Sequence, residues 1–405
     1  MKRKIAIFTG NRAEYGLQFP ILKAVKEHEE LEYKLLVSGA HLDKNFGNTL
    51  KEINKDGFEV HEEIKIEMDA ASLTSTVNAI GSGVLSIGKA LQRIRPDIMV
   101  VYADRFEGFA AVIASSQMNI PTAHIEGGDL TEGGALDDSV RHAMTKLAHL
   151  HFTTNEQASN RLLAMGEEPW RVHTAGFPAI DLINEGNFAN PLEIEEMLKI
   201  DVNKPIVLFT QHSVTTEFDK AYEQVSLSLL AIKELVNKGI QCIVTYPNND
   251  AGGKQIIQKI NELENECQKN LIIRRSLGRY MYHGVLALAR DKSLNILCIG
   301  NSSSGIKETP AFGCPTINIG SRQNGRLRAN NVLDVDYDVE AIIKAVEKCF
   351  SDDSFRHQCF NCENPYYVGG AGKKISGVLS SVELGQKLIR KKMTLLGEKN
   401  SGWYR

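Results

Sequence analysis

Residues 124–142, HIEGGDLTEGGALDDSVRH, combine five carboxylates and two histidines with four glycines. Grouped carboxylates can bind a divalent metal ion. They can also act as a proton donor and a proton acceptor, because neighbouring acids shift one another's pKa. A third possibility is a solvated loop without chemistry, and the stretch taken alone leaves all three open.

The spacing of the histidines and cysteines gives little support for a metal site. His142, His149 and His151 do not form the i, i+4 pair of a helical zinc site, and the sequence contains neither an H-E-x-x-H motif nor an EF-hand loop. Cys359 and Cys362 form one C-x-x-C without the second pair of a zinc ribbon. We therefore expect no metal ion, which leaves acid–base chemistry as the main hypothesis for the acids.

Two of the acids in the first half come at the ends of apolar runs that are predicted strands. Asp104 follows DIMVVYA (97–103), and Glu126 lies near the end of TAHIEG (122–127). In open parallel sheets, ligands bind beyond the carboxyl ends of the strands, so both acids are candidates for a ligand site. Asp137 and Asp138 lie at the start of a predicted helix. Acids at such a place can be explained either by helix capping or by catalysis.

The second half contains a candidate phosphate-binding segment. NSSSGIKE (301–308) runs from a strand into a predicted helix, and its serines and backbone N–H groups suit a pyrophosphate, although an ordinary helix cap looks the same. GSRQNGRLR (320–328) adds three arginines, whose guanidinium groups match phosphate oxygens. Arg12, after the first strand, is a candidate anion contact, and His212, after the strand that opens the second half, is a candidate cleft residue.

These residues are positioned by short apolar, β-branched runs that alternate with longer amphipathic segments. This alternation is typical of βαβ units and predicts an α/β protein with two Rossmann-like doubly wound domains. We expect an N-terminal domain over 1–185, joined by a C-terminal helix over 376–398, and a C-terminal domain over 200–375. Six strand ends carry polar, glycine-rich segments, which predicts one cleft between the domains. Neither G-x-G-x-x-G nor a P-loop motif is present, which argues against a hydride-transfer enzyme or an ATPase.

The composition agrees with a soluble globular protein. The chain has 405 residues, 42% hydrophobic and 24% charged, with a formal net charge of -3, which favours neither nucleic acid nor an anionic membrane as a partner. No run approaches the roughly 18 apolar residues of a membrane span, and the apolar run after MKRK is too short for a signal peptide. Seven cysteines, an odd number, indicate a reduced, cytoplasmic protein.

Eight motifs together resemble the hydrolysing UDP-N-acetylglucosamine 2-epimerases over about residues 3 to 375. They occur in the family's order: GNRAEYG, ADRFEG, HIEGGD, DDSVRHAMTKLAH, QHSVTTE, YPNNDAG, IGNSSSGIKE and GSRQNGR. The resemblance implies a fold like the GT-B glycosyltransferases, a nucleotide sugar in the interdomain cleft and no metal or nicotinamide cofactor. It also implies anti elimination of UDP to 2-acetamidoglucal, followed by hydration to N-acetylmannosamine, at the start of sialic acid or legionaminic acid synthesis.

The resemblance also implies roles for individual residues. The family's catalytic groups fall on Asp104, Glu126, Asp137 and His212, without showing which acid removes the carbon 2 proton. The positions that match contacts to the UDP moiety are Arg12, Asn249, Ser302, Ser303, Glu308 and Arg322. By resemblance we also expect a homo-oligomer, either a dimer or a tetramer.

One departure from the family bears on the substrate. Many relatives have a link such as EVSGTID after HIEGG, whereas DLTEGGALD is two residues longer, so Asp137 is displaced along the chain relative to Glu126. Room for a modified sugar makes UDP-N,N'-diacetylbacillosamine the alternative substrate. A GT-B glycosyltransferase and a nucleotide-sugar binder without turnover are the competing functional classes. NPYYVGGAGKKI (364–375) departs from a late family segment closer to NPYGDG, and its role stays open.

Overall fold

The computed structural model describes residues 2–42, 50–66, 74–131, 136–248, 252–267 and 269–394, except for the side chains of Arg12, Ala13, Ala40 and Thr215. The chain forms two compact units. The first comprises residues 1–129, 137–182 and 366–405, and the second comprises residues 130–136 and 183–365. Leu130, Thr131 and Leu136 are thus grouped with the second unit, although Asp129 and Asp137 belong to the first.

The first unit is built on a seven-stranded parallel sheet with the order β3-β2-β1-β4-β5-β6-β7. Successive residues of its central strand point to opposite faces, because side chains alternate along a strand. Ile5 and Ile7 join one buried apolar cluster, whereas Ala6 and Phe8 join another. The strands are β1 Arg3–Thr9, β2 Leu31–Ser38, β3 Val60–Ile64, β4 Ile98–Tyr102, β5 Thr122–Ile125, β6 Leu150–Thr153 and β7 Val172–Thr174.

The second unit repeats this architecture with six parallel strands in the order β10-β9-β8-β11-β12-β13. Val207 and Phe209 lie in one apolar cluster, and Ile206 and Leu208 lie in the other. The strands are β8 Ile206–Thr210, β9 Gln241–Thr245, β10 Leu271–Arg274, β11 Ile296–Gly300, β12 Thr316–Ile319 and β13 Val332–Val335. Two doubly wound sheets confirm the predicted fold class.

Helices connect the strands of both sheets, as parallel connections require. In the described part of the chain, no helix combines the length and apolar character needed to cross a membrane. The helices are α1 Arg12–Glu27, α2 Leu50–Lys55, α3 Ser75–Ile94, α4 Phe106–Gln117, α5 Leu136–Leu147, α6 Glu156–Ala164, α7 Ala179–Asn184, α8 Pro191–Leu198, α9 Ala221–Asn237, α10 Gly253–Glu266, α11 Gly278–Ala287, α12 Ser304–Lys307, α13 Val339–Ser351, α14 Asp353–Phe360, α15 Ala371–Ser381 and α16 Gln386–Ile389.

Three strands have no counterpart in the sequence prediction, and all three lie at sheet edges. These are β3, β7 and β13. None is fully buried, and β3 has the sequence VHEEI, in which charged side chains interrupt the apolar pattern. An edge strand has one neighbour and needs less apolar surface, so composition detects it poorly.

The last segment of the chain returns to the first unit. The Asp181 carboxylate accepts hydrogen bonds from the backbone N–H groups of Ala371, at 3.1 Å, and Gly372, at 2.8 Å. The buried Arg171 guanidinium donates to the Leu388 carbonyl at 2.7 Å. The sequence predicted one helix over 376–398, of which residues 376–394 are described, and these form two helices rather than one. Helix α15 begins earlier, at Ala371, and a break at Gly385, with φ of 134°, separates it from α16.

Candidate functional site

In each sheet the strand order reverses beside the central strand, between β1 and β4 in the first unit and between β8 and β11 in the second. The crevice outside the carboxyl ends of such strands is the usual ligand site of a doubly wound sheet. Asp104 follows β4, His212 follows β8 and Ser302 follows β11. The fold thus places the candidate residues of each unit at the position where a ligand is expected.

A buried arginine organises the acids of the first unit. Arg141, on α5, is 1% exposed. Its Nη1 donates to the Asp138 carboxylate at 2.8 Å and to the Asp129 carbonyl at 2.7 Å, and its Nη2 donates to the Asp104 carboxylate. Asp104 is therefore held beside a fixed positive charge. A buried guanidinium needs such partners because an unpaired buried charge is costly.

Asp138 lies in the first turn of α5, where the sequence predicted a helix start, and it is buried against Arg141. Asp129 is also buried, and its carboxylate accepts a hydrogen bond of 2.6 Å from the Thr154 hydroxyl. Arg141 lies in the quoted motif DDSVRHAMTKLAH, but a basic residue inside a helix carries no signal of burial. Asp137 lies, partly buried, in the first turn of α5. Glu132 lies outside the described residues.

Two backbone turns direct Asp104 and Glu126 away from their strands. Ala103, directly before Asp104, has φ of 54°, and Glu126 itself has φ of 62°. Such left-handed conformations are costly for residues other than glycine, about 1–3 kcal/mol each, and they cluster at functional sites. The Tyr102 hydroxyl donates to the Glu126 carboxylate, and the Glu126 N–H donates to the Phe152 carbonyl at 2.9 Å. Glu126 is therefore a buried, well-oriented acid.

His124 supports the turn at Ala103. Its Nε2 lies 2.6 Å from the Ala103 carbonyl oxygen, which can only accept, so Nε2 carries the proton. Its Nδ1 lies 3.1 Å from the Thr145 hydroxyl. Burial lowers the pKa of His124 to about 4, so the ring is neutral at physiological pH. His124, the first residue of the stretch 124–142, therefore has a structural role, because it holds the backbone directly before Asp104.

A second pair of buried acids received no role from the sequence, although both belong to quoted motifs. Glu14, in GNRAEYG, is 4% exposed, and Glu107, in DRFEG, is fully buried. The Gly10 N–H donates to Glu14 Oε2 at 2.8 Å, and a Cβ on Gly10 would lie 2.9 Å from Glu107 Cβ. Burial, and then the charge of Glu107, raises the pKa of Glu14 to about 8. Glu14 is therefore a protonated carboxyl group at neutral pH.

In the second unit, His212 and Asn301 connect the ends of β8 and β11. The Asn301 side chain accepts from the His212 N–H at 2.7 Å and donates to the His212 carbonyl at 2.9 Å. The backbone N–H of Asn248 donates to His212 Nδ1 at 3.0 Å. Because Nδ1 accepts this bond, the neutral ring carries its proton on Nε2. His212 is therefore fixed in orientation and tautomer.

The serine segment forms the turn that the sequence predicted. Ser302 and Ser303 are partly buried, directly before helix α12. The hydroxyls of Ser302 and Ser304 lie 3.0 Å apart, and the hydroxyl of the partly buried Tyr282 lies 2.6 Å from Ser304 Oγ. The turn is thus supported from within the unit by side chains that hold its hydroxyls in place.

Glu308, at the end of this segment, is 8% exposed. The His283 ring holds one of its carboxylate oxygens, with Nε2 2.6 Å from Glu308 Oε2. Lys307, beside it, is also buried. These two charged side chains belong to the second unit's interior, where sequence alone would have placed neither.

The arginines of GSRQNGRLR have three different environments. Arg322 Nη1 donates to the Asn301 carbonyl at 3.1 Å, directly beside the serine turn. Arg326 donates from Nε to the Leu130 carbonyl at 2.6 Å. Arg328 pairs with Asp334, with 2.7 Å between Nε and the carboxylate. Of the three, Arg322 fits the phosphate role that the sequence suggested for the group.

Two predicted binding residues fall where the structure gives no side-chain description. Asn249 lies outside the described residues. Arg12 begins α1, and its side chain is likewise outside the described part. Among the described residues, no three His, Cys, Asp or Glu side chains converge in a way that could hold a metal ion.

Comparison with known proteins identifies the family of the chain. The family model described as UDP-N-acetylglucosamine 2-epimerase matches residues 23–380. A relative from Campylobacter jejuni named GDP/UDP-N,N'-diacetylbacillosamine 2-epimerase (hydrolyzing) is 34% identical, covering 87% of this chain and 88% of its own. A relative from Legionella pneumophila named UDP-N,N'-diacetylbacillosamine 2-epimerase (hydrolyzing) is 32% identical, covering 96% of this chain and 99% of its own.

A solved structure shows the same fold. The UDP-GlcNAc 2-epimerase from Neisseria meningitidis, bound to UDP-GlcNAc, superposes with a TM-score of 0.78 at 20% identity, covering 93% of this chain and 99% of that one. The family match leaves no support for the glycosyltransferase alternative. The chain belongs to the UDP-N-acetylglucosamine 2-epimerase family and is an enzyme of that kind.

Proposed function

We propose that this enzyme is a hydrolysing UDP-sugar 2-epimerase that converts a UDP-2-acetamido sugar into UDP and the free 2-epimeric sugar. The observation that carries the proposal is the placement of Asp104 and Glu126. Asp104 follows the left-handed Ala103, Glu126 is itself left-handed, and both lie at the ends of neighbouring strands; a buried arginine holds Asp104. Backbone strain and a buried cation both cost free energy, and strained residues cluster at functional sites.

The reaction requires more than one carboxylate. Carbon 2 carries no carbonyl-activated proton, so departure of UDP must build positive charge at carbon 1 while a base removes the carbon 2 proton. The C2–H electrons form the C1–C2 double bond of 2-acetamidoglucal, and the C1–O electrons leave with UDP. Water then adds to carbon 1 while an acid returns a proton to the opposite face of carbon 2. Carboxylates can stabilise the charge and perform both proton transfers.

We assign these steps to Asp104, Glu126 and Asp137, with the individual base and acid still to be determined. Arg141 fixes Asp104 by its position beside the carboxylate, and Tyr102 fixes Glu126 through its hydroxyl. Preorganised groups of this kind stabilise a transition state without reorganising during the reaction. Asp137 lies in the first turn of α5, one residue before the Asp138 that Arg141 binds.

We assign the UDP moiety to the second unit. The serine turn and Arg322 suit the pyrophosphate, because hydroxyls, backbone N–H groups and a guanidinium all donate to its oxygens. Glu308 is the candidate for the ribose hydroxyls. His212, with its proton on Nε2, is a candidate donor to the departing phosphate. Asn249 and Arg12 are proposed as further ligands by resemblance.

The proposal is tested by running the reaction in deuterium oxide. We expect UDP and a free 2-acetamido sugar of inverted carbon 2 configuration, with deuterium at carbon 2. An intact, epimerised UDP-sugar would instead indicate a non-hydrolysing epimerase. Transfer to an acceptor without exchange at carbon 2 would indicate a glycosyltransferase.

Substitution of the acids separates catalysis from binding. Asp104→Asn and Glu126→Gln should each lower kcat by about 100-fold or more while UDP binding is retained, as expected for proton-transfer groups. Glu27→Gln, an exposed acid at the end of α1, is the matched control and should leave kcat unchanged. Unchanged turnover in both acid variants, or turnover absent from the parent protein under every substrate, would refute the assignment.

Two substrates are candidates. UDP-N-acetylglucosamine is the first, because the family model carries its name and the Neisseria meningitidis structure holds it. UDP-N,N'-diacetylbacillosamine is the second, because two relatives at 32% and 34% identity are named for it and because the link between Glu126 and Asp137 is longer than in many relatives. A side-by-side product assay decides between them by the ratio of kcat/KM values.

The first substrate would place the enzyme at the start of sialic acid synthesis and the second in legionaminic acid synthesis. In either role we propose a cytoplasmic homo-oligomer that needs no metal or nicotinamide cofactor. Retained activity after dialysis against a chelator would support the independence from a metal ion. Light scattering of the purified protein would test the oligomeric state.

A further inference from the structure

We propose that Arg326 is a positioning residue that ties the loop between the proposed acids to the turn that we assign to UDP. The inference rests on the proposed function for the roles of the groups at its two ends. The hydrogen bonds of Arg326 itself are observed whatever those roles are, and their acceptors lie within the second unit.

Arg326 engages protein acceptors with three of its nitrogens. Its Nε donates to the Leu130 carbonyl at 2.6 Å, and its Nη2 donates to the Thr131 hydroxyl at 2.9 Å. Its Nη1 donates to the Gln323 side-chain oxygen at 2.6 Å. Leu130 also packs closely on the turn, since a Cβ on Gly325 would lie 2.9 Å from Leu130 Cδ1. We call Arg326, Gln323, Leu130 and Thr131 the Arg326 tether.

The tether continues into the residues proposed to bind UDP. The fully buried Gln323 donates from Nε2 to the Asn301 carbonyl at 2.8 Å, and Arg322 donates to the same oxygen at 3.1 Å. The Asn301 side chain holds the backbone of His212 through two hydrogen bonds. One network of charge-assisted and buried hydrogen bonds thus runs from Thr131 to His212. Such bonds are stronger and more directional than exposed ones.

The other end of the tether is a short stretch of chain between acids. Leu130 directly follows Asp129, whose carbonyl and carboxylate are held in the first unit by Arg141 and Thr154. Glu126, which belongs to the first unit, lies four residues before Leu130. A shift of the turn at Arg326 would therefore pull on the segment that carries Glu126. Arg326 can thus position this acid through the backbone of residues 126–131.

The hydrogen bonds of the Arg326 guanidinium also explain why we do not propose Arg326 as a phosphate ligand. Leu130, Thr131 and Gln323 already orient the guanidinium, whereas Arg322 has the position beside the serine turn. A phosphate ligand would be expected to affect UDP affinity when it is changed. A positioning residue would be expected to affect kcat, because misplacing a reacting group by about 1 Å can cost about 100-fold in rate.

The test compares Arg326→Lys with a matched arginine of the same unit. Lysine keeps the charge but cannot reproduce the guanidinium fork. We expect kcat to fall by about 10-fold to 100-fold, while KM and the dissociation constant for UDP change by less than about 3-fold. Arg356 also donates to backbone carbonyls, of Lys292 at 2.7 Å and Leu294 at 3.1 Å, so Arg356→Lys controls for general loss of stability and should leave kcat unchanged.

A double-mutant cycle tests whether Arg326 acts through the loop. Thr131→Val removes one acceptor of the tether without changing the size of the side chain. If Arg326 works through Thr131, the double variant should lose much less in kcat than the product of the two single losses. The proposal would be overturned if the loss in kcat of the double variant equalled the product of the two single losses. It would also be overturned if UDP affinity fell as much as kcat/KM.

Amide hydrogen exchange provides a readout that does not require turnover. In Arg326→Lys, the amides of Leu130 and Thr131 should exchange faster than in the parent, whereas in Arg356→Lys they should not. Unchanged exchange in both variants overturns the tether even if the enzyme is active. A parent protein without epimerase activity but with faster exchange in Arg326→Lys refutes the proposed function and leaves the tether standing.

Discussion

Replacing Glu14 by glutamine should change how the stability of the enzyme depends on pH. Glu14 is buried beside Glu107 near the end of β1, and its Oε2 accepts a hydrogen bond from the Gly10 N–H. Arg105 lies on the other side of the pair, with Nε 3.4 Å from the Glu107 carboxylate. Burial, then the charge of Glu107, raises the pKa of Glu14 from 4.5 to about 8. Glutamine resembles the protonated acid in shape and keeps an oxygen for Gly10.

The sign of the effect follows from proton binding. Between pH 4.5 and about 8 the folded protein keeps the Glu14 proton, whereas the unfolded chain has released it. The folded state therefore binds one more proton, so the free energy of unfolding falls as the pH rises through this window. The contribution of Glu14 is fully present below pH 4.5 and is lost as the pH rises through about 8. The slope is about 1.4 kcal/mol per pH unit, up to about 5 kcal/mol over the whole window.

The measurement is urea-induced unfolding of the parent and of Glu14→Gln at pH 5, 6, 7 and 8. We expect the parent to lose stability relative to the variant at each step, so that the two curves of unfolding free energy against pH diverge. Glu29→Gln, an exposed acid after α1, is the control and should follow the parent. Curves for Glu14→Gln and the parent that run parallel across this range would show that Glu14 is ionised in the folded protein.

Two further substitutions test the packing inside each unit, one in the first unit and one in the second. Arg141→Met removes the cation that Asp104 and Asp138 share, and it should cost about 3–5 kcal/mol in urea unfolding; a loss below about 1 kcal/mol would mean that the cluster does not need its arginine. Gly300→Ala should cost more than about 4 kcal/mol or prevent folding, because φ is 130° and an added Cβ would overlap the Thr210 carbonyl. Its control, Gly377→Ala in α15, has open space around the added Cβ and should be neutral or gain up to about 1 kcal/mol in thermal unfolding.

The sequence by itself determined the two doubly wound sheets and the ends of their strands, except for the edge strands β3, β7 and β13. Apolar runs such as IMVVY, all five residues of which are buried in β4, depend on burial on both faces of a parallel sheet. Asp104, Glu126, His212 and Ser302 could be placed at strand ends for the same reason. Where a strand ends depends on neighbouring residues in the sequence, so the pattern of apolar residues is enough to predict it.

Only the tertiary structure decided which partners these residues have. Arg141 meets Asp104 across 37 positions of sequence, and Arg326 meets Thr131 across 195. The left-handed residue Ala103 is not a glycine, so its conformation cannot be predicted from the sequence. The pKa of Glu14 is raised by burial and then by the charge of Glu107, which belongs to a different βα segment. Such pairings follow from the order of the strands in each sheet and from contacts between residues far apart in sequence. No periodic pattern encodes them, because distant residues become neighbours only when the sheets assemble.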